Sequence, residues 1–540
     1  MEGGGLFVAM ASTWLPTVIS VAFLGEGIWR IVAGYGEATA PGSPASPETL
    51  ADATFNCVNF ILFSLLGLSC VCWPFVSTWF HRKPESEMGG SSASGSHGPS
   101  SFTPDPPSTT ETKVNIVVDG ADKDPPAPAP VHAPEPEPKP KRTITYLTNL
   151  KTWLTFIVVA HHCVGQWYNS SASGIGTLGY DPLIEGSQQL PSFSIFASFF
   201  QTADQGYFMA TFFLISGLFC PRSLDRKGFR NFVLDKMVRL GGPFLIYSVL
   251  LGPAMDLWIS AYGGFPLSWK YNMGPPWFIL WLLNFSILYA AIAHFLPKMR
   301  QFAMPHPLLV VLFGFVLAPC FWALGSVLGD WAFLGGMVFW NFGLFIYIPF
   351  FIAGVVGGRN GWLKSVEEMQ MWVVWVLRGM CLVVWVLIFL STAQTGIPIP
   401  NCCGIDGSFF TNFIPPVYAI VMTLALMQLF HQYFNATPQS SVARGAGQAA
   451  YMVYVIHLPI LMTAVIAMVE ILKAAGLDLL FFAPGVPVVA FFSSDASGNL
   501  AVLSDGWLWA GFFFTLIVTN VVVWPLGFYM RRLPVLNKMF

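Results

Sequence analysis

The feature that most constrains this chain is a series of apolar stretches, each about as long as a bilayer core is thick. A spanning helix needs roughly 20 predominantly apolar residues. Such stretches occur at about 6–33 and 55–79, and again at 152–170, 205–221, 241–262, 277–296, 307–326, 337–357, 370–391, 411–431, 448–473 and 506–529. Only 10% of the residues are charged, against about 25% in soluble globular domains. A soluble fold would have to expose much of this apolar surface, whereas lipid accepts helices that are apolar all round. The expectation is an all-α, polytopic transmembrane bundle of about twelve helices: two N-terminal spans (1–82), a linker (83–141) and a ten-helix domain (142–540).

The linker holds 13 of the chain's 41 prolines and ends in the Pro-Glu-Pro-Glu-Pro-Lys-Pro tract at 134–140. Such a composition buries too little apolar area to offset its ordering entropy, so disorder is expected there. Positive charge then orients the chain. Arg222, Arg226, Lys227, Arg230, Lys236 and Arg239 form the densest basic cluster, in the loop (222–239) expected between the second and third spans after the linker. Counting alternately, Lys298/Arg300, Arg359/Lys364, Arg444 and Arg531/Arg532 fall on the same side, as do His81, Arg82 and Lys83 before the linker and Lys139, Lys141 and Arg142 after it. Both termini and the linker are therefore expected in the cytosol. The start of the chain lacks a basic n-region, so its first apolar segment is expected to be a retained helix. Asn169-Ser170-Ser171 is a glycosylation sequon on the opposite side.

A formal net charge of -2 argues against a nucleic-acid partner. Nine cysteines without CxxC pairs argue against a structural metal, and the adjacent Cys402 and Cys403 receive no pairing. Ionisable residues inside apolar spans are more informative, because each is costly if it faces lipid. His161 and His162 lie midway along the first helix after the linker. Lys151 precedes His162 by 11 residues, roughly 16 Å of helix axis. His457 follows Tyr454 in a helix running the same way, about 13 Å beyond Gln448, so His162 and His457 are expected at one depth. His161 is turned about 100° from His162 and is expected to support or pack. Arg378 is a third intramembrane charge, nearer the cytosolic face. For each of these a bland reading stands beside the chemical one: a hydrogen bond within the bundle for the histidines, snorkelling to headgroups for Arg378. Ser216-Gly217 has no Gly-x-Ser-x-Gly elbow around it and reads as a pair of small residues for close helix packing.

An ordered set of motifs in 143–540 resembles the type 3 acyltransferases, integral membrane enzymes that O-acylate glycans and related acceptors. Leu150-Lys151, ten residues, then His162 is similar to that family's Leu-Arg, ten residues, His. Phe212-Phe213-Leu214-Ile215-Ser216-Gly217 follows, then Gly228-Phe229-Arg230-Asn231-Phe232, Arg239-Leu240, Pro276-Trp277-Phe278-Ile279-Leu280, Gly354 through Gly358-Arg359 to Gly361-Trp362, Tyr454 to Pro459, and Arg531-Arg532-Leu533-Pro534. The resemblance implies a ten-helix enzyme with no tightly bound cofactor. It would take acetyl or another short acyl group from acyl-CoA on the cytosolic side and pass it to a hydroxyl of a glycan, glycolipid or related acceptor. His162 would be the general base. Lys151, Arg230, Arg239, Trp277, Arg359, Arg378 and His457 would contact substrates, with His161 and Tyr454 behind them. Lys151 replaces an arginine of the pattern and cannot form a bidentate fork with phosphate. Two other readings remain: a transporter whose buried His and Arg line a substrate or proton path, and a non-catalytic relative that kept the fold.

Overall fold

A computed structural model describes residues 144–168, 192–295, 301–328, 343–395, 409–436, 440–477, 479–485, 488–494 and 500–540. The two N-terminal spans, the linker, the Asn169 sequon and Cys402 with Cys403 lie outside the described residues. In chain order the main helices are α1 (Thr145–Tyr168), α2 (Ser192–Gln205), α3 (Phe208–Lys236), α4 (Gly252–Gly263), α5 (Trp277–Phe295), α6 (Pro307–Leu328), α7 (Gly343–Asn360), α8 (Met371–Thr395), α9 (Phe409–Tyr433) and α10 (Ser441–Ala474). Three strands, β1 (Leu479–Gly485), β2 (Val488–Ser494) and β3 (Leu500–Val502), precede α11 (Asp505–Met530). A helix occupies each of the ten spans expected after the linker. Four segments are long and apolar enough to cross a membrane, namely Ser192–Gly263, Met371–Leu390, Ser441–Ala474 and Asp505–Met530, and Trp277–Ala293 and Pro307–Ala318 are shorter apolar helices. Outward-facing Trp375, Leu382 and Val521 present large apolar side chains, an arrangement suited to lipid rather than water. This is a helical membrane protein.

Three features depart from the sequence expectation. The basic stretch 222–239 is helical rather than a loop: α3 runs through Pro221 and bends at Gly228, whose φ of 71 and ψ of 165 only glycine adopts readily. The backbone then passes through π-helical turns at Met237–Gly241 and Ile246–Leu251 on either side of Gly242–Leu245. Pro243 and Pro253 lie beside these turns, and each lacks the N–H that a regular ladder would use. Second, α2 is an extra helix of 14 residues, too short to cross a bilayer unaided. Third, the otherwise helical fold carries a small antiparallel sheet of order β1-β2-β3. Gly485 pairs with Val488 across the turn, and the flanking Leu, Phe and Val residues suit strands.

Packing explains which helices approach closely. A side chain on Gly354 of α7 would come within 3.0 Å of Gly217 Cα and Leu218 N on α3, and one on Gly217 would meet Gly354 Cα and Val355 N at the same distance. Gly358 abuts the Leu218 backbone one turn further along. Small residues let two backbones touch in a setting where apolar burial alone gives no drive to associate. The helix α1 is different. It packs against α2, α9, α10 and α11, so its polar side chains face protein. Gly447 of α10 lies against Thr148 and Thr152 of α1, which sets the two helices side by side and parallel. At the far end Trp167 is fully buried, with Gly511 of α11 leaving room for its ring and Thr515 Oγ1 accepting its Nε1–H at 2.7 Å.

Candidate active site

Parallel packing of α1 and α10 fixes where their imidazoles meet. From the Gly447 contact with Thr148 and Thr152, ten residues further along each helix bring His457 beside His162. Their ring centroids are 5.1 Å apart, with planes inclined at 35°. The common depth reckoned from helical rise is thus matched by direct proximity. His161 also lies against His162, at 5.4 Å and nearly perpendicular. Three imidazoles therefore form a row between α1 and α10.

The two ends of the row are anchored differently. His457 is fully buried, and its Nδ1 is 2.8 Å from the Tyr454 carbonyl one turn earlier. A carbonyl only accepts, so Nδ1 carries the proton and Nε2 is the acceptor. That Nε2 has no partner among the described residues. The Tyr454 hydroxyl donates to the Pro275 carbonyl, tying α10 to the start of α5. There Phe278 meets the Tyr454 ring at 5.9 Å, and Trp277 stacks on Tyr347 of α7 at 5.8 Å. At the opposite end, His161 Nδ1 lies 2.7 Å from Asp204 Oδ1. Asp204 is only 3% exposed, and its Oδ2 has no partner among the described residues. His162, in the middle, makes no hydrogen bond among the described residues.

Asp204 was absent from the sequence reading, although a signal existed. It is the only acidic residue between Ser192 and Cys220, in a run rich in Phe and Ala. A lone carboxylate in such a run needs a partner, and His161, 43 residues earlier, supplies it.

The cationic residues separate into groups. Lys151 lies three turns below His162 on α1, its Nζ 5.9 Å from the Phe219 ring centroid, and it meets no carboxylate among the described residues. Arg378 of α8 donates to Gln432 Oε1 at 2.7 Å and lies over the Trp375 and Tyr433 rings. This is the Lys151 end of the fold, since Asn149 of α1 donates to the neighbouring Phe434 carbonyl at 2.7 Å. Arg359 is occupied by protein groups: NH1 pairs with Asp225 at 2.6 Å, while Nε and NH2 donate to the Tyr289 hydroxyl at 3.1 and 2.8 Å. It fastens α3, α5 and α7 together. Arg239 pairs with Asp235 at 3.2 Å, and its carbonyl accepts from Tyr451. Arg230 is half-buried just beyond the Gly228 bend. The structure thus gathers His161, His162, His457 and Tyr454 with Trp277 nearby, and places the arginines elsewhere. Among the described residues no three His, Cys, Asp or Glu side chains are grouped to hold a metal ion.

Comparison with known proteins gives one finding. A family model described as an acyltransferase domain, the type 3 acyltransferase family, matches residues 144–466. No curated protein and no solved structure matches the chain. The matched segment is more than half of the chain and contains Lys151, His161, His162, Asp204 and His457. With its helical membrane fold and a family match over more than half its length, this chain belongs to the type 3 acyltransferase family.

Proposed function

We propose that the protein is a membrane O-acyltransferase that moves acetyl or another short acyl group from acyl-CoA to a hydroxyl of a carbohydrate or related acceptor, with His162 as general base. The observation that carries this reading is the position of His162. It stands between two imidazoles with no hydrogen bond of its own among the described residues, inside the segment that matches the acyltransferase family. A histidine kept for packing would be expected to have its nitrogens paired. An imidazole free to take a proton suits a base working near neutral pH.

In the proposed reaction, a nitrogen of His162 takes the proton of the acceptor hydroxyl. The acceptor oxygen bonds to the thioester carbonyl carbon, and the carbon–sulfur bond breaks. Sulfur leaves as the CoA thiolate and receives the proton back from His162. Lys151, three turns away and without a carboxylate partner among the described residues, would attract donor phosphates. The positive-inside pattern puts that end of α1, both termini and the linker in the cytosol, where acyl-CoA is the donor.

The test is acyl transfer from radiolabelled acetyl-CoA by the purified full chain. Octyl glucoside micelles serve as both solvent and hydroxyl acceptor. His162→Ala and His162→Gln should each lower turnover by roughly two to four orders of magnitude, with melting temperatures near that of the unaltered protein. An amide can hydrogen-bond the acceptor but cannot take its proton. A well-folded His162→Gln protein working at full rate would remove His162 from the reaction and leave His457 as the next candidate.

A further inference from the structure

The carboxylate of Asp204 is costly where it stands. It is almost wholly buried, and among the described residues it contacts no lysine or arginine and its Oδ2 has no hydrogen-bond partner. The backbone N–H of Gln205 also faces it, and the other polar groups nearby are neutral hydroxyls. Tyr207 opens α3 next to it, and Tyr418 of α9 donates to the adjacent Ala203 carbonyl at 2.9 Å while accepting from Trp385 at 2.7 Å. Holding His161 in place would not require a charge, because the amide oxygen of an asparagine accepts the same hydrogen bond. A buried, incompletely satisfied carboxylate is expected to persist only where its charge is used.

We propose that Asp204 is a positioning residue acting through His161, and that it holds a negative charge behind the imidazole row for the reaction. This rests on the reading of His162 as base. The carboxylate accepts the Nδ1–H of His161, which fixes that ring's tautomer and leaves its Nε2 as an acceptor. When His162 takes the acceptor's proton, a positive charge appears one imidazole away from the Asp204 anion. In an interior with little water to screen it, that charge is stabilised. The C-terminal end of α2, where Asp204 lies, adds the negative pole of a helix on the same side. Asp204 gains and loses no proton over the cycle. The proton goes from acceptor oxygen to His162 and on to the departing sulfur.

The experiment compares Asp204→Asn, Asp204→Glu and His161→Gln with the unaltered full-length protein, using acetyl-CoA as donor and octyl glucoside as acceptor probe. Asp204→Asn is expected to lower kcat by about 10–100-fold, less than the loss when the carboxylate of a Ser-His-Asp triad is removed, because here the charge acts one ring further off. The KM for acetyl-CoA should stay within two-fold. Asp204→Glu should recover part of the loss, and His161→Gln should resemble Asp204→Asn. A full kcat in Asp204→Asn, or a loss that tracks melting temperature with Glu no better than Asn, overturns the proposal. A second arm needs no acceptor: carbethoxylation of His161 by diethyl pyrocarbonate, followed by peptide mass spectrometry. Freed from any acceptor in Asp204→Ala, His161 should react several-fold faster; an unchanged rate also overturns the pairing. Failure of the wider reading looks different. If the unaltered protein transfers no acetyl group, or His162→Ala transfers it at full rate, the general-base assignment fails whatever Asp204 does to His161.

Discussion

The interface between α3 and α7 and the space between α1, α2 and α10 are both helix contacts, yet they treat polar atoms in opposite ways. Between α3 and α7 the backbones touch through Gly217, Gly354 and Gly358, and the nearby Arg359 has Asp225 and Tyr289 as partners. Around the imidazole row, Asp204 Oδ2 and His457 Nε2 are buried without partners among the described residues, and His162 makes no hydrogen bond there. A buried polar atom without a partner is destabilising. The first contact is built to hold, and the second keeps polar atoms available at the expense of stability. Such available groups are what a reaction can use.

This contrast can be broken by substitutions that should affect folding in one region and chemistry in the other. The largest effect is that of His162, whose loss should remove turnover and spare folding. Gly354→Ala is the mirror image. Its new Cβ would meet backbone rather than a movable side chain, so a cost at the upper end of the roughly 1–3 kcal/mol range for overpacking is expected. Thermal melting in detergent checks this, with turnover per folded molecule unchanged. A stable Gly354→Ala protein would mean that the helices separate easily and that the α3–α7 contact is not the firm one.

Smaller effects sharpen the comparison at its edges. Lys151→Ala should raise the KM for acetyl-CoA about ten-fold, the scale of one charged hydrogen bond, while Lys151→Arg keeps the charge and adds a fork that phosphate can use. An unchanged KM in Lys151→Ala would detach this residue from donor binding. Arg359→Met should cost no more than about 1 kcal/mol, because Asp225 is 58% exposed and such pairs are screened. It should leave the KM for acetyl-CoA alone. A clear rise in that KM would return Arg359 to the donor site that its motif implied.

The helices after the linker were legible because a bilayer imposes one length on every apolar span. The common depth of His162 and His457 was legible for a related reason: helical rise converts residue counts into depth, so two helices entering from one side can be compared, whereas their contact depends on how the helices pack. Asp204 escaped because it belongs to α2, a 14-residue helix too short to register as a span, and because nothing in its spacing points to His161. The partners of Arg359 were not legible either, since Asp225 and Tyr289 reach it from positions 134 and 70 residues away. Such long-range partners are set by how helices pack, which hydropathy does not encode. The bend at Gly228 was hidden by the basic residues around it, which looked like an exposed loop.

The pairing of α1 with α10 bears on how the protein is made. Its two central imidazoles lie near opposite ends of the family-matched segment, so a ribosome must deliver nearly all of that segment before His457 can reach His162. Earlier intermediates would carry Lys151 and His162 in a helix whose companion has not yet been synthesised. A nascent chain would therefore pass most of its time in the translocon without the completed row, which makes the site one of the last features of the domain to form.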